Sequence, residues 1–136
     1  MTSISLAASY IFKAKVRLDV LALLLHKEAF SDVVREAQEA VELALKGMLR
    51  HQGIEPPKWH DVSGFLVENA GRFPESVRGA IPRLTEISKW LRKERELAFY
   101  GDIDFVPTEE YTLDDARRAM NDATFAVTTA ESLLAL

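Results

Sequence analysis

The sequence contains no cysteine among its 136 residues. Disulfide bonds, cysteine-ligated zinc, iron–sulfur clusters and thiol catalysis are therefore excluded, and a reducing cytoplasm is the expected location. Positive charge is also scarce, because 17 lysines and arginines face 21 aspartates and glutamates, for a net charge of −4. Such a chain cannot hold nucleic acid by a global positive field, so any nucleic-acid role needs a local basic site.

Other common signatures are missing as well. The N-terminal segment fits neither a signal peptide nor a membrane span, and no phosphate-binding glycine-rich loop, zinc-binding His-Glu-x-x-His pattern or nucleophile elbow occurs. His26, His51 and His60 have no spacing that suggests a shared metal site. We therefore expect no metal, no cofactor and no membrane association, and a single domain over residues 1–136.

The patterns that are present are helical. Apolar residues recur every three or four positions over about residues 4–26, 30–52, 61–70, 74–100 and 112–134, and no segment alternates with the period of a strand. We expect Ser31, Asp61 and Thr112 to cap helices, Gly53 to end the second helix, and a break at 79–82. Residues 101–111 are predicted to form a loop. The expected fold is all-α, an up-and-down bundle of four or five helices.

The charged and aromatic chemistry is concentrated in residues 89–102. Four basic residues fall within seven positions, next to Trp90, Phe99 and Tyr100. At about 100° per residue, Arg95 lies about 40° from Leu91, at the edge of the apolar stripe. One interpretation is that the Arg95 stem lies along the core and its head pairs with Glu94 or another carboxylate. The other is an anion-binding arginine in a groove, suited to phosphate.

The residues near Arg95 can likewise be structural or belong to a binding site. Arg92 flanks the same groove, whereas Lys89 and Lys93 point further outward and are typical of a solvated face. Tyr100 is a core or interface tyrosine, or a site residue. On a continuing helix, Tyr100 and Arg95 would lie about 140° apart, so they converge only if the helix ends near Gly101 or a second subunit supplies one of them.

Several segments together resemble the HEPN domain (higher eukaryotes and prokaryotes nucleotide-binding). They are Glu36–Leu49, Gly53–Lys58 with the following His60-Asp61-Val62, the arginine with Phe99–Asp102, and the C-terminal amphipathic helix. The resemblance covers nearly the whole chain. It implies a helical bundle that forms a homodimer, in many members a small cytoplasmic prokaryotic protein partnered with a minimal nucleotidyltransferase in a toxin–antitoxin pair.

The resemblance also implies a site. Active HEPN members are metal-independent ribonucleases with an arginine, then four to six intervening residues, then a histidine. Arg95 matches that arginine, with Arg92 as the alternative, but Tyr100 stands where the histidine belongs. A histidine with a pKa near ~6.5 accepts a proton at neutral pH, whereas a tyrosine near ~10 stays protonated.

Three functions follow as hypotheses. The first is binding of a nucleotide or RNA phosphate at a dimer cleft by Arg92, Arg95, Tyr100 and Asp102. The second is a toxin endoribonuclease in which Arg95 stabilises the phosphorane and Tyr100 replaces the histidine, so that these two residues are catalytic. The third is a non-catalytic dimerisation or interaction module, which buries the apolar run Val20–Leu25 and the alanine-rich last helix against a partner.

Overall fold

The computed structural model describes residues 3–58 and 61–136. Within those ranges the regular structure is helical, which confirms the all-α fold. Four long helices form the bundle, and shorter ones connect them. The helices are α1 (Ser3–His26), α2 (Phe30–His51), α3 (Val62–Glu68), α4 (Glu75–Arg78), α5 (Ile81–Phe99), α6 (Pro107–Glu110) and α7 (Leu113–Leu134), with a 3-10 turn at Ala70–Arg72.

Helix α2 is the central element of the bundle. It packs against α1, α7 and α5, and each of its side chains is buried or half-buried. Its apolar stripe explains this position, because a stripe at helical spacing must be covered by neighbouring helices. Helix α5 contributes its own stripe to the same core, with Leu84, Leu91 and Ala98 almost fully buried. The outer faces of α2 and α5 therefore run side by side.

The helix ends follow the predicted signals with one exception. The Thr112 hydroxyl accepts a hydrogen bond from the Asp115 N–H at 3.2 Å, and the Asp115 carboxylate accepts one from the Thr112 N–H at 2.9 Å. Asp61 caps α3 by accepting from the Ser63 N–H at 3.0 Å. The prediction for Ser31 is wrong: the cap of α2 is Ala29, two residues earlier, and Ser31 is buried inside the first turn.

The predicted break at residues 79–82 is confirmed. Helix α4 ends at Arg78 and α5 begins at Ile81, so Pro82 occupies the first turn of α5. A proline is tolerated there because the first N–H groups of a helix have no intrahelical partner. The predicted loop at 101–111 is more ordered than expected, since it contains a tight turn at 102–105 and the one-turn helix α6.

Two glycines end the helices that matter most for the site. Gly53 follows α2 with φ of +76°, and Gly101 follows α5 with φ of +72°. Both positions are left-handed, which favours glycine. They differ in their surroundings: a Cβ at Gly53 would meet nothing closer than 4.0 Å, whereas a Cβ at Gly101 would clash with the Phe105 carbonyl oxygen.

This difference predicts unequal costs for the same substitution. Gly53→Ala should lower the free energy of unfolding by about 1 kcal/mol, the cost of a left-handed alanine. Gly101→Ala should cost about 2–3 kcal/mol, because the turn must also move away from the new methyl group. Urea denaturation of the two variants measures the difference. Equal costs would show that the contact between Gly101 and the 102–105 turn does not constrain the chain.

No helix within the described ranges has the length and apolar character needed to cross a membrane.

Candidate anion-binding site

The outer faces of α2 and α5 enclose two adjacent clefts. The first, of about 320 Å³, is lined by Arg35 of α2 and by Arg92, Arg95, Glu96 and Tyr100; we call it the Tyr100 cleft. The second, of about 310 Å³, is lined by residues that include Lys46 and Lys58 as well as Arg92 and Arg95; we call it the Lys46 cleft. Arg92 and Arg95 line both clefts, so this pair lies between them.

Arg95 has the edge position that its helical angle predicts. Leu91 and Ala98 are buried, while 48% of the Arg95 side chain is exposed. Its Nη2 lies 3.3 Å from Oε1 of Glu39 on α2. The carboxylate that pairs with Arg95 is therefore Glu39 and not Glu94, which accepts a hydrogen bond from the Tyr111 hydroxyl at 2.8 Å.

Glu39 serves two arginines at once. The same Oε1 atom that faces Arg95 also accepts a hydrogen bond from Arg35 Nη1 at 3.1 Å. One negative charge therefore stands between two positive ones, which leaves the trio with a net positive charge. Each guanidinium has five N–H donors, so donors remain for another acceptor. An exposed anion such as a phosphate fits this arrangement.

Tyr100 lies at the rim of the Tyr100 cleft. The residue is 76% exposed, and its ring meets the Phe99 ring edge-to-face with centroids 4.8 Å apart. The Arg35 guanidinium in turn lies 5.1 Å from the Phe99 ring centroid. Although α5 continues to Phe99, Arg95 and Tyr100 line the same cleft within one chain.

Asp102 is placed differently. Its Oδ1 accepts a hydrogen bond from the Ile103 N–H at 2.7 Å, and its backbone pairs with Phe105 in the turn that follows α5. It is exposed and does not line the two clefts. The structure thus brings Arg92, Arg95 and Tyr100 together and uses the Asp102 carboxylate within its own turn.

Trp90, the third aromatic residue of the basic segment, faces α7. Its indole N–H donates to Asp122 Oδ2 at 2.8 Å, and the Arg118 guanidinium lies 4.0 Å from its ring centroid. These contacts fasten α5 to α7. Trp90 therefore holds the helix that carries the arginine pair and is not a lining residue of the clefts.

The described residues hold no group of three histidine, aspartate or glutamate side chains placed to bind a metal ion. In residues 3–58 and 61–136, no histidine lines the Tyr100 cleft or the Lys46 cleft. His60 lies outside the described residues. The chemistry available in the described site is that of guanidinium, ammonium, carboxylate, amide and phenol groups.

Comparison with known proteins identifies the chain. The HEPN domain family matches residues 7–133. The chain belongs to the HEPN domain family. It is also 28% identical over 128 residues to "Putative toxin MJ1304" of Methanocaldococcus jannaschii, an alignment that covers 89% of this chain and 83% of that protein. No solved structure matches the chain.

Six lining residues of the two clefts in this HEPN domain were not predicted as site residues from the sequence: Arg35, Gln38, Glu42, Lys46, Lys58 and Glu96. A signal exists for Gln38, because it falls four residues after Val34 and three before Val41, on the apolar stripe of α2. A polar residue at such a position calls for an explanation. Arg35 gives only an ordinary helical pair with Glu39, and nothing local shows that α5 passes over it.

The hydrogen bond from the Tyr111 hydroxyl to Glu94 makes the stability of the folded HEPN domain depend on pH. Burial and the neighbouring Glu94 carboxylate raise the pKa of Tyr111 well above its ordinary value. Because the folded state favours the protonated phenol, the stability that this bond contributes is present below about pH 10 and is lost as the pH rises beyond it. Tyr111→Phe should lower the free energy of unfolding by about 1–2 kcal/mol at pH 8.

The same substitution should flatten the loss of stability above about pH 10. Urea denaturation at pH 8 and at higher pH measures both effects. The control is Tyr100→Phe, which removes an exposed hydroxyl and should change neither quantity. If Tyr111→Phe has the same stability as the wild type at pH 8, the bond to Glu94 contributes nothing.

Proposed function

We propose that this HEPN domain binds the phosphate of a nucleotide or of RNA at the cleft around Arg92, Arg95 and Tyr100. The observation that carries the proposal is the convergence of Arg35 and Arg95 on the single carboxylate of Glu39. A planar guanidinium fork matches a phosphate oxygen pair. Exposed Tyr100 supplies an aromatic face on which a base can stack.

Titration of a fluorescent single-stranded RNA oligonucleotide of about eight nucleotides tests this proposal, with anisotropy recorded at several salt concentrations. We expect saturable binding whose log affinity falls linearly with log salt concentration, with a slope of about 0.7 for each phosphate engaged. Nucleoside monophosphates should compete. An oligonucleotide that fails to bind even at low salt would overturn the proposal.

The functional unit that we propose is a homodimer partnered with a minimal nucleotidyltransferase. Family membership supports both parts, and the name of the Methanocaldococcus jannaschii protein supports a place in a toxin–antitoxin pair. Exposed apolar side chains at Phe12, Leu23 and Ile103 are available for such contacts. Sedimentation equilibrium should give twice the mass of the chain, and a nucleotidyltransferase encoded beside it should co-purify. A monomeric mass contradicts the homodimer, and failure to co-purify contradicts the nucleotidyltransferase partner.

A second candidate function is metal-independent cleavage of RNA, favoured by the toxin name of the relative. In that case Arg95 stabilises the phosphorane and Tyr100 takes the place of the family's histidine. The test is incubation of RNA with the wild type and with Tyr100→His in a chelator. Cleavage by the wild type, abolished in Tyr100→Phe, supports the enzyme. If Tyr100→His cleaves RNA and the wild type does not, the wild-type site binds RNA but lacks the general base.

A further inference from the structure

Gln38 is a buried residue whose amide oxygen lacks a hydrogen-bond partner among the described residues. It is only 3% exposed, and its Oε1 atom has no hydrogen-bond partner within the described part of the chain. Leaving a buried amide oxygen unpaired destabilises the folded protein. An apolar residue would be expected at this place on the α2 stripe, so the amide calls for another explanation.

The surroundings of Gln38 indicate what kind of ligand would satisfy it. Gln38 lines the Lys46 cleft, in which four of the six lining residues are basic and Glu42 is the acidic one. Lys46 contacts Glu42 at 4.0 Å, whereas Lys58 is an exposed lysine at the end of the segment that follows α2. The cleft therefore combines an excess of positive charge with a neutral amide in its wall.

The two clefts share the arginine pair. An anion held by Arg92 and Arg95 would lie between the aromatic rim at Tyr100 and the basic, amide-lined cleft at Lys46. A mononucleotide with one phosphate can occupy only part of this surface. A single-stranded nucleic acid has its groups in the same order as this surface. A base at the Tyr100 rim is followed by a phosphate at the arginine pair, and then by a second nucleoside and a second phosphate in the Lys46 cleft.

We propose that the Lys46 cleft is a second subsite, which takes the next phosphate along a single-stranded nucleic acid chain and hydrogen-bonds the adjoining nucleoside through Gln38. This inference rests on the proposed function, since it requires the first phosphate at the arginine pair. Lys46 and Lys58 neutralise the second phosphate. The Gln38 amide pairs with a sugar hydroxyl or with a base edge beside it.

The first test compares ligands with one and two phosphates. The probes are adenosine 5′-monophosphate and the 5′-phosphorylated diadenosine ribonucleotide, titrated into the wild type. The dinucleotide should bind about tenfold more tightly, the worth of one charge-assisted contact. Lys58→Gln and Lys46→Gln should each reduce this advantage, and the double variant should lower the salt slope by about 0.7. The control Lys89→Gln removes an exposed lysine of α5 that lines neither cleft and should change neither quantity.

The second test concerns Gln38 itself. Gln38→Met keeps the length of the side chain and removes its polar atoms, so the melting temperature should not fall. Dinucleotide affinity should drop at least about threefold, while monophosphate affinity stays unchanged. Gln52→Met, at the end of α2, is the matched control. If the drop occurs with ribo- but not deoxyribo-dinucleotides, the partner of Gln38 is the 2′-hydroxyl. If it occurs with both, the partner is the base; either result supports the subsite.

Three results overturn the second subsite. The first is that the dinucleotide binds no more tightly than the monophosphate. The second is that the tighter binding of the dinucleotide survives both lysine substitutions. The third is that adenosine diphosphate, which has no second nucleoside, gains the same lysine-dependent affinity. Each of these leaves the proposed function intact, provided that the monophosphate binds and depends on Arg95. If neither ligand binds the wild type, the proposed function itself fails. The two failures are therefore distinguishable.

Discussion

Arg95→Ala is expected to weaken binding of the RNA oligonucleotide by about 10- to 100-fold. The guanidinium of Arg95 lies between the two clefts and is held by Glu39 at 3.3 Å. Its loss removes the central cation of the proposed phosphate site and leaves Glu39 beside the ligand with only Arg35 to offset its charge. The measurement is the anisotropy titration at one fixed salt concentration.

Two further variants separate geometry from charge in this prediction. Arg83→Ala removes an arginine from the same helix, where the guanidinium stacks on Phe125 at 3.8 Å, and should change the affinity less than about twofold. Arg95→Lys retains the charge but loses the planar fork, so its affinity should fall between the wild type and Arg95→Ala. Equal losses in Arg95→Ala and Arg83→Ala would mean that only net charge matters.

Glu39→Gln is expected to act in the opposite direction and tighten RNA binding by about three- to tenfold. The amide oxygen can still accept from Arg35 and Arg95, so both arginines keep their positions. The negative charge that competes with the phosphate is gone. The folded state should lose little stability, because all three side chains are partly exposed and ion pairs of this kind contribute little.

The matched control for that variant lies one turn away on the same helix. Glu36 faces Arg17 of α1 with an N–O distance of 3.8 Å, so Glu36→Gln makes the same change of net charge outside the clefts. It should leave the affinity nearly unchanged. If Glu39→Gln weakens RNA binding, the carboxylate is an essential part of the site and does not compete with the ligand.

The ends of the helices were predictable because their signals are local. A capping box at Thr112, a left-handed glycine at Gly53 and a proline near the start of α5 each act through neighbouring backbone groups. The one wrong cap, Ser31, shows the limit of this reasoning. Its hydroxyl suits a cap, but the backbone of α2 turns helical at Phe30, which packs against the core.

The site was predictable only in part, because its contacts are not local. The helical angle of Arg95 indicated a position at the edge of the core, and Tyr100 was predicted to converge with it if the helix ended nearby. The partner of Arg95 lies 56 residues earlier, in α2, and periodicity does not specify which face of α2 meets α5. Packing also decided that Trp90 faces α7 and that Gln38 lines a cleft.

The most direct test of the arginine site is an NMR titration of isotopically labelled protein with the single-stranded RNA oligonucleotide. Arg92→Lys and Arg95→Lys assign the side-chain Nε–Hε signals, and Arg83 is the internal reference. We predict that the signals of Arg92 and Arg95 shift saturably, with the dissociation constant found by anisotropy, while that of Arg83 stays in place. Saturable binding of RNA with unchanged Arg92 and Arg95 signals would contradict the proposed site.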